Sequence, residues 1–267
     1  MKKTLLILIL LALTACVRTD SASIEPRPMP ILMFHMITDN ITDPYMQVTP
    51  AQFRDFLIAM QDAGFTAISF DDLKNYVTGT GTLPPHPFII TFDDGYLCNF
   101  EQAFPILMEL NIPATINIIG SRRGQATYEG HPSTPHFTWE DAAQMVTSGL
   151  ITLGSHTYAM HGRYPHAQGG WAIILEHTNF VQNFKADIAA MHAHTSTHIF
   201  AYPFGIRSTI AEEILINHGY TITLLTGGYV SHITRGDPAT LHGLYRINVP
   251  ATLTPADLTW LVYTLSK

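Results

Sequence analysis

Short apolar runs alternate along the chain with segments whose apolar residues recur at helical spacing. Residues 50–63 show the second pattern, because Phe53, Phe56 and Met60 fall on one face of a helix. The same spacing, with capping residues, predicts further helices over residues 71–77, 96–110, 138–149, 171–191, 208–218 and 254–265. Pro105 is expected to kink or interrupt its helix, since proline cannot donate a backbone hydrogen bond.

The apolar runs are short and end in turn-forming or polar residues, which is typical of buried strands. They predict strands over residues 30–35, 66–70, 88–92, 114–119, 150–153, 199–202, 220–225 and 244–249. Strand followed by helix, repeated about eight times, is the signature of a parallel sheet and suits a barrel. We therefore predict an α/β fold, a distorted, TIM-like (β/α) barrel with about seven or eight parallel strands. The chain of 267 residues is long enough for one such domain.

Polar residues directly follow several of these strands. His35 ends the first strand, Asp93 and Asp94 end the third, and His156 follows the fifth. The sixth strand runs into residues 203–205, Pro-Phe-Gly. In parallel barrels the active site lies at the carboxyl ends of the strands, and a random scatter of histidines would not favour those positions. The sequence therefore predicts one functional site on this face.

Two histidines and a carboxylate on loops from different strands can hold a divalent cation and leave positions open for other ligands. His156 and His161 form an H-x4-H pair, a spacing that is wrong for one helix face, so a loop must turn both rings inward. Adjacent carboxylates at Asp93 and Asp94 repel each other unless a cation or a shared proton relieves them. The alternative is a turn that closes the strand, with one aspartate capping the next helix.

The first residues differ from the rest of the chain. A basic start precedes an apolar stretch over residues 5–13, which is too short to span a bilayer and reads as a signal peptide. Residues 13–16 (LTAC) resemble a bacterial lipobox, so we expect a lipoprotein signal peptide over residues 1–15 and lipidation of the Cys16 sulfur. The alternative is an ordinary signal peptide followed by an accidental cysteine.

Lipidation at Cys16 implies a location in the bacterial periplasm or cell envelope. Val17 follows, rather than the aspartate associated with inner-membrane retention, so we favour a lipid anchor in the outer membrane. Residues 16–29 are polar and contain proline, and we expect a lipidated N-terminal tether there, followed by a folded domain over residues 30–267. With Cys16 acylated, Cys98 has no partner for an intrachain disulfide.

Three short motifs resemble those of a known family. Residues 91–95 (TFDDG), residues 155–157 (SHT) with His161, and residues 203–205 (PFG) resemble the first three motifs of the polysaccharide deacetylases, the NodB-type domain of carbohydrate esterase family four. The order matches, and the resemblance covers roughly residues 30–250. Within the family, the wider histidine spacing and the early strand ending in histidine are similar to the subgroup that N-deacetylates poly-β-1,6-N-acetyl-D-glucosamine, the biofilm exopolysaccharide.

The resemblance implies a metal-dependent hydrolase that removes N-acetyl groups from N-acetylglucosamine units and supports maturation and export of the biofilm matrix. The implied ligands of a divalent ion, with Zn²⁺ expected first and Ni²⁺, Co²⁺ or Fe²⁺ as alternatives, are Asp94, His156 and His161. Asp93 would act as general base towards the attacking water. The backbone N–H of Phe204 would help to stabilise the oxyanion, and His35 would protonate the leaving amine.

Two positions depart from the family pattern. Ala201 stands where many members place an arginine that orients the catalytic base, and Arg246 is the candidate substitute. His242, in residues 241–243 (LHG), fits the late motif that supplies the general acid in most members. However, His242 precedes its predicted strand and should lie at the wrong end of the barrel, so we favour His35.

The expected partners are an N-acetylglucosamine polysaccharide, the membrane and the export machinery of the polysaccharide. Tyr96, Tyr158 and Pro203 are candidates to line the glycan groove, although core packing explains the two tyrosines equally well. A net charge of −7 with no basic run argues against nucleic-acid binding. Peptidoglycan or chitooligosaccharide deacetylation is an alternative function. A catalytically silent glycan-binding lipoprotein is another, disfavoured because all the core polar positions are present.

Overall fold

The computed structural model describes residues 25–125, 134–162 and 179–267. The helices within these ranges are α1 (Pro50–Asp62), α2 (Phe70–Val77), α3 (Phe104–Leu110), α4 (Trp139–Thr147), α5 (Phe180–His192), α6 (Thr209–Asn217) and α7 (Pro255–Leu265). The strands are β1 (Arg27–Met29), β2 (Ile31–Phe34), β3 (Met36–Ile37), β4 (Gln47–Val48), β5 (Thr66–Ala67), β6 (Pro87–Asp94), β7 (Ala114–Ile118), β8 (Ile151–Ser155), β9 (Ile199–Ala201), β10 (Ile222–Leu224), β11 (Ser231–Ile233) and β12 (Ile247–Asn248). The predicted signal peptide, the predicted lipidation site Cys16 and the predicted start of the helix at residue 171 lie outside the described residues.

Seven parallel strands form a curled sheet in the order β10-β9-β8-β7-β6-β2-β12, which turns 239° round an axis as a half-barrel. This confirms the predicted fold class of a distorted, TIM-like α/β barrel. The strand predicted over residues 244–249 joins the sheet in two places. Leu244 forms a single parallel bridge to Leu224 of β10, and β12 pairs with β2. The segment between them carries Arg246 into the barrel.

The central strand β6 is buried along its whole length and ends in the two aspartates. Its neighbours are β2 on one side and β7 on the other, with Phe34 opposite Phe92 and Asn117 opposite Asp93. Helix α1 packs its Phe53 ring against the rings of Phe34 and Phe92, at centroid distances of 5.1 and 5.5 Å. This aromatic cluster holds the carboxyl ends of β2 and β6 side by side.

The helices begin where the sequence predicts, because their caps are encoded locally. Thr49, Thr138 and Thr254 each accept a hydrogen bond from the backbone three residues later and receive a reciprocal contact, a capping box. The predicted helix over residues 96–110 is interrupted. A π-helical turn, Asn99–Ala103, precedes α3, and Pro105 lies in the first turn of α3, where its missing N–H is tolerated.

The predicted tether was expected to continue to residue 29, but residues 27–29 belong to the folded domain. They form β1, which pairs antiparallel with β11 from Arg27 opposite Ile233 to Met29 opposite Ser231. Two strands of three residues each are too short to show an alternating pattern in the sequence. Across the described ranges, the helices are all too short or too polar to cross a membrane.

Candidate active site

The end of β6 brings two neighbouring carboxylates to one site. Side chains alternate along a strand, so Asp93 and Asp94 would ordinarily point to opposite faces. Asp94 has φ of 73° and Gly95 has φ of 79°, so the backbone reverses at this point. A Cβ on Gly95 would also meet Ile118 at 3.1 Å, and glycine is therefore required for both conformation and space.

Asp93 is buried in an ion pair with Arg246. Nη1 of Arg246 donates to Oδ1 at 2.6 Å and Nη2 donates to Oδ2 at 2.7 Å, a bidentate arrangement. Asn117 donates from Nδ2 to Oδ1 at 2.8 Å. Burial alone would raise the pKa of Asp93, but the Arg246 guanidinium outweighs it and holds the pKa well below its usual range. The carboxylate is therefore ionised and fixed in orientation.

Arg246 is fully buried, at 0% exposure, and is itself held in place. Its Nε donates to the carbonyl of Leu225 at 3.0 Å, and Nη1 also reaches the Thr91 hydroxyl at 3.3 Å. Ala201, where an arginine was expected, is buried and offers only a methyl group. The structure thus places the Arg246 guanidinium on the carboxylate that the missing arginine would orient.

Asp94, His156 and His161 present three donor atoms that all lie within 4.8 Å of one another. Oδ1 of Asp94 lies 3.8 Å from Nε2 of His156 and 3.5 Å from Nε2 of His161. This oxygen is buried and has no hydrogen-bond partner. His156 donates from Nδ1 to the carbonyl of Ala201 at 2.7 Å, which leaves the lone pair of Nε2 facing the carboxylate. The arrangement fits a divalent transition metal. Among the described residues, it is the one group of three acidic, histidine or cysteine side chains whose donor atoms converge in this way.

The environment keeps His161 neutral. Burial lowers its pKa to about 3, and the neighbouring His156 ring acts in the same direction. A neutral imidazole is the form that binds a metal. Burial raises the pKa of Asp94, but His161, His156 and His35 together outweigh it and the net shift is downward. Asp94 and His161 are therefore in the protonation states that metal binding needs.

His35 lies beside the carboxylates. It follows β2 at the level where β2 pairs with the end of β6. Its Nδ1 is buried with no hydrogen-bond partner. Burial lowers the pKa of His35, and the nearby charges of Asp93 and Asp94 oppose that shift without cancelling it.

His242 lies elsewhere. Its Nδ1 is 3.1 Å from Oε1 of Glu212, a buried carboxylate on α6. The same carboxylate accepts hydrogen bonds from the Tyr202 hydroxyl, the Arg207 guanidinium and the Thr223 hydroxyl. His242 therefore belongs to a cluster against the outer helix layer, while His35 lies near Asp93.

The loop after β9 carries Pro203 and Phe204. Phe204 has φ of 58°, which is uncommon for a bulky residue, and its side chain is 41% exposed. Its ring lies 4.8 Å from the ring of His161, between centroids. Pro203 is buried, and a Cβ on Gly205 would clash with Thr226, so this loop is tightly constrained. The constraint holds the Phe204 ring beside His161, one of the three candidate metal donors.

The two candidate groove tyrosines pack against histidines. The Tyr96 ring lies 5.0 Å from that of His136, and burial, with the adjacent Asp94 carboxylate, raises its pKa. The Tyr158 ring stacks on His194 at 5.9 Å. Tyr96 therefore borders the site, whereas Tyr158 belongs to a packed stack on its flank.

Three contacting residues were missed by the sequence interpretation. Asn117 donates to Asp93, Arg122 donates from Nη2 to the carbonyl of His161 at 3.1 Å, and Asp187 holds the backbone between His156 and His161. The sequence did offer a signal for Asn117, because an amide side chain is unusual inside a fully buried strand. The other two contact the backbone, which no side-chain pattern records.

Comparison with known proteins finds one family whose sequence pattern covers the residues of the candidate site. The sequence pattern of the polysaccharide deacetylase family matches residues 80–223, which include both aspartates, both candidate ligand histidines and the Pro203–Gly205 loop. Poly-beta-1,6-N-acetyl-D-glucosamine N-deacetylase of Escherichia coli K12 is 24% identical over 262 residues. That alignment spans 82% of this chain and 39% of the E. coli protein, so the chain spans about two fifths of its relative's length.

Solved structures share the fold. IcaB from Ammonifex degensii has a TM-score of 0.73 at 23% identity, covering 88% of this chain and 97% of that one. The de-N-acetylase from Aggregatibacter actinomycetemcomitans has a TM-score of 0.72 at 18% identity, covering 88% and 99%. Because the family pattern matches more than half of the chain and includes the residues of the site, the chain belongs to the polysaccharide deacetylase family.

Proposed function

We propose that this chain is a metal-dependent N-deacetylase of poly-β-1,6-N-acetyl-D-glucosamine. The observation that carries the proposal is the pairing of an Arg246-held carboxylate, Asp93, with the three convergent donors of Asp94, His156 and His161. A glycan-binding module needs no such donor group or oriented base. The names of the E. coli relative and of a Staphylococcus aureus relative, 24% identical over 161 residues, favour the β-1,6-linked substrate.

The residues divide the chemistry of amide hydrolysis. Asp94, His156 and His161 would hold the divalent ion, which when bound would lower the pKa of water and polarise the acetyl carbonyl. Asp93 would accept the proton of the attacking water. At neutral pH, the pairing with Arg246 keeps the Asp93 carboxylate ionised and fixes its orientation. The same pairing lowers the pKa of Asp93 and so makes it a weaker base.

The departing amine needs a proton as the C–N bond breaks. His35 lies near both carboxylates and its Nδ1 is free of hydrogen bonds, so it can deliver that proton within the site. The backbone N–H of Phe204 would help to stabilise the oxyanion, on a loop that its neighbours constrain tightly. Preorganisation of this kind avoids reorganisation during the reaction.

The proposed cellular location rests on the lipobox-like sequence of residues 13–16. Lipidation at Cys16 would place the enzyme in the bacterial envelope, with the outer membrane favoured, where it would meet the polysaccharide and its export machinery. Each deacetylation would release acetate and leave a free amine on the polymer. Zn²⁺ is the proposed ion, and Ni²⁺, Co²⁺ and Fe²⁺ are the alternatives that the same donors accept.

A comparison of oligomers tests the proposal. Acetate release is measured from β-1,6-linked and from β-1,4-linked N-acetylglucosamine oligomers, with the protein loaded with Zn²⁺. Faster release from the β-1,6-linked oligomer supports the proposal, and preference for the β-1,4-linked oligomer favours peptidoglycan or chitooligosaccharide deacetylation. No release from either, with Zn²⁺ bound, would favour a silent binding protein.

A further inference from the structure

His161 is carried on a loop that must turn back towards Asp94, and the structure shows what fixes that turn. We propose that Asp187 is a positioning residue for His161. Its carboxylate holds the backbone between the two candidate ligand histidines and thereby sets the geometry of the donor group. This inference rests on the proposed metal-dependent function and adds a residue to it.

The contacts of Asp187 are with backbone atoms of the loop. Asp187 lies on α5 and is 7% exposed. Its Oδ2 accepts the N–H of Tyr158 and its Oδ1 accepts the N–H of Ala159, each at 2.7 Å. Hydrogen bonds from N–H groups to an ionised carboxylate are short and about twice as strong as neutral ones. Both oxygens of the carboxylate are thus occupied by two successive residues of the loop.

The loop needs such support because its backbone is strained. Thr157 follows His156 and has φ of 70°, a left-handed conformation that is rare for a β-branched residue. This reversal brings the rings of His156 and His161 to a centroid distance of 4.5 Å. Strained conformations persist only where surrounding contacts over-determine them.

The contacts that restrain the loop come from two sides. The Gly120 N–H donates to the carbonyl of Thr157 at 3.1 Å, and Arg122 donates to the carbonyl of His161 at 3.1 Å. These contacts hold the carbonyl groups of the loop. Asp187 holds the N–H groups of residues 158 and 159 from the side of α5. Removal of its carboxylate would leave the N–H groups of Tyr158 and Ala159 without these acceptors.

The setting of Asp187 supports a specific role. Burial raises its pKa to about 6, although the N–H groups of Ala159 and Tyr158 act in the opposite direction. In the described part of the chain, its hydrogen bonds come from backbone N–H groups and no cationic side chain forms an ion pair with it. A buried carboxylate without a cationic partner is unfavourable, so its presence is best explained by the loop that it holds.

Zn²⁺ affinity is the direct test, measured on the purified protein by competition with a chromophoric chelator. Asp187→Asn keeps the shape but accepts only one N–H, because its amide NH₂ faces the other donor. We expect affinity to fall about 10- to 100-fold, the usual effect of losing a group that orients a ligand. Glu212→Gln is the matched control: Glu212 is 6% exposed on the neighbouring α6, and its hydrogen bonds come from side chains rather than from the backbone of residues 157–161, so parent affinity is expected.

His156→Ala separates this inference from the proposed function. If His156→Ala binds Zn²⁺ as the parent does, the metal site itself is wrong. If His156→Ala loses Zn²⁺ while Asp187→Asn keeps parent affinity, Asp187 has no positioning role. Urea unfolding of each metal-free variant shows whether it is folded. Asp187→Glu, which keeps the charge but moves the carboxylate by one methylene, replaces Asp187→Asn if that variant does not fold, and parent affinity in it would equally overturn the inference.

Discussion

The buried pair of Arg246 and Asp93 makes a quantitative prediction. Arg246→Met removes the guanidinium but keeps an unbranched apolar side chain that fills the space of the arginine stem. Asp93 then loses two charge-assisted hydrogen bonds and retains only the one from Asn117. Breaking a buried ion pair by removing one partner typically costs about 3–5 kcal/mol, because the remaining charge is left uncompensated. We expect the free energy of unfolding at pH 7 to fall by an amount in that range.

The loss in free energy of unfolding that Arg246→Met causes should grow as the pH rises. In Arg246→Met, burial is opposed only by His156, His35 and the Asn117 hydrogen bond, so we expect the pKa of Asp93 to rise above its unfolded value. A group whose pKa is raised by folding contributes stability below its unfolded pKa, and this contribution is lost as the pH rises through its folded pKa. The variant should therefore be closest to the parent at acidic pH and furthest from it at alkaline pH.

A double-mutant cycle isolates the pair. Asp93→Asn alone leaves the Arg246 charge buried, and the double variant leaves neither charge. We expect urea unfolding to show that the double variant is more stable than the sum of the single changes predicts, by at least about 1 kcal/mol. Additive changes, or an Arg246→Met variant with parent stability across the pH range, would refute the view that this ion pair holds the base.

Three further predictions concern individual side chains. Asp93→Asn should keep its Zn²⁺ but lose about 100- to 10,000-fold in turnover, and release of the metal would instead make Asp93 a ligand. His35→Ala should keep its metal and lose the alkaline limb of the pH profile for acetate release, whereas His242→Ala should behave nearly as the parent; the reverse result would move the general acid to His242. Burial opposes ionisation of Glu212, but hydrogen bonds from His242 and its other partners lower its pKa to about 2, so it stabilises the fold above about pH 4.5 and this contribution is lost as the pH falls towards 2. Glu212→Gln should therefore lower the free energy of unfolding by about 2–3 kcal/mol at pH 7 and by much less near pH 2, as measured by urea unfolding; an equal loss at both values would contradict this.

Much of the fold, and the position of the candidate site on it, follows from local sequence signals. The strand that ends at Asp94 is an unbroken apolar run, and the helix caps at Thr49 and Thr138 are encoded within four residues. Alternation of strands and helices then places His35 and His156 at the same edge of the sheet. These features need no knowledge of distant contacts, which is why sequence reasoning could reach them.

The remaining features depend on tertiary contacts. Arg246 and Asp93 are 153 residues apart in the chain, so only the resemblance to a family suggested the pairing. Asp187 binds backbone N–H groups, and any loop sequence offers those groups. The short pair β1 and β11 buries too few residues to show a pattern. In each case the determining interaction joins residues whose proximity exists only after folding.

Acetate release under control of the metal tests the central claim most directly. The purified protein is stripped with a chelator, assayed on a β-1,6-linked N-acetylglucosamine oligomer, and assayed again after addition of one equivalent of Zn²⁺, in parallel with Asp94→Ala. The proposal predicts no release from the stripped protein, recovery with the added ion, and neither binding nor recovery in Asp94→Ala. Full release from the stripped protein, or recovery in Asp94→Ala equal to that of the parent, would contradict it.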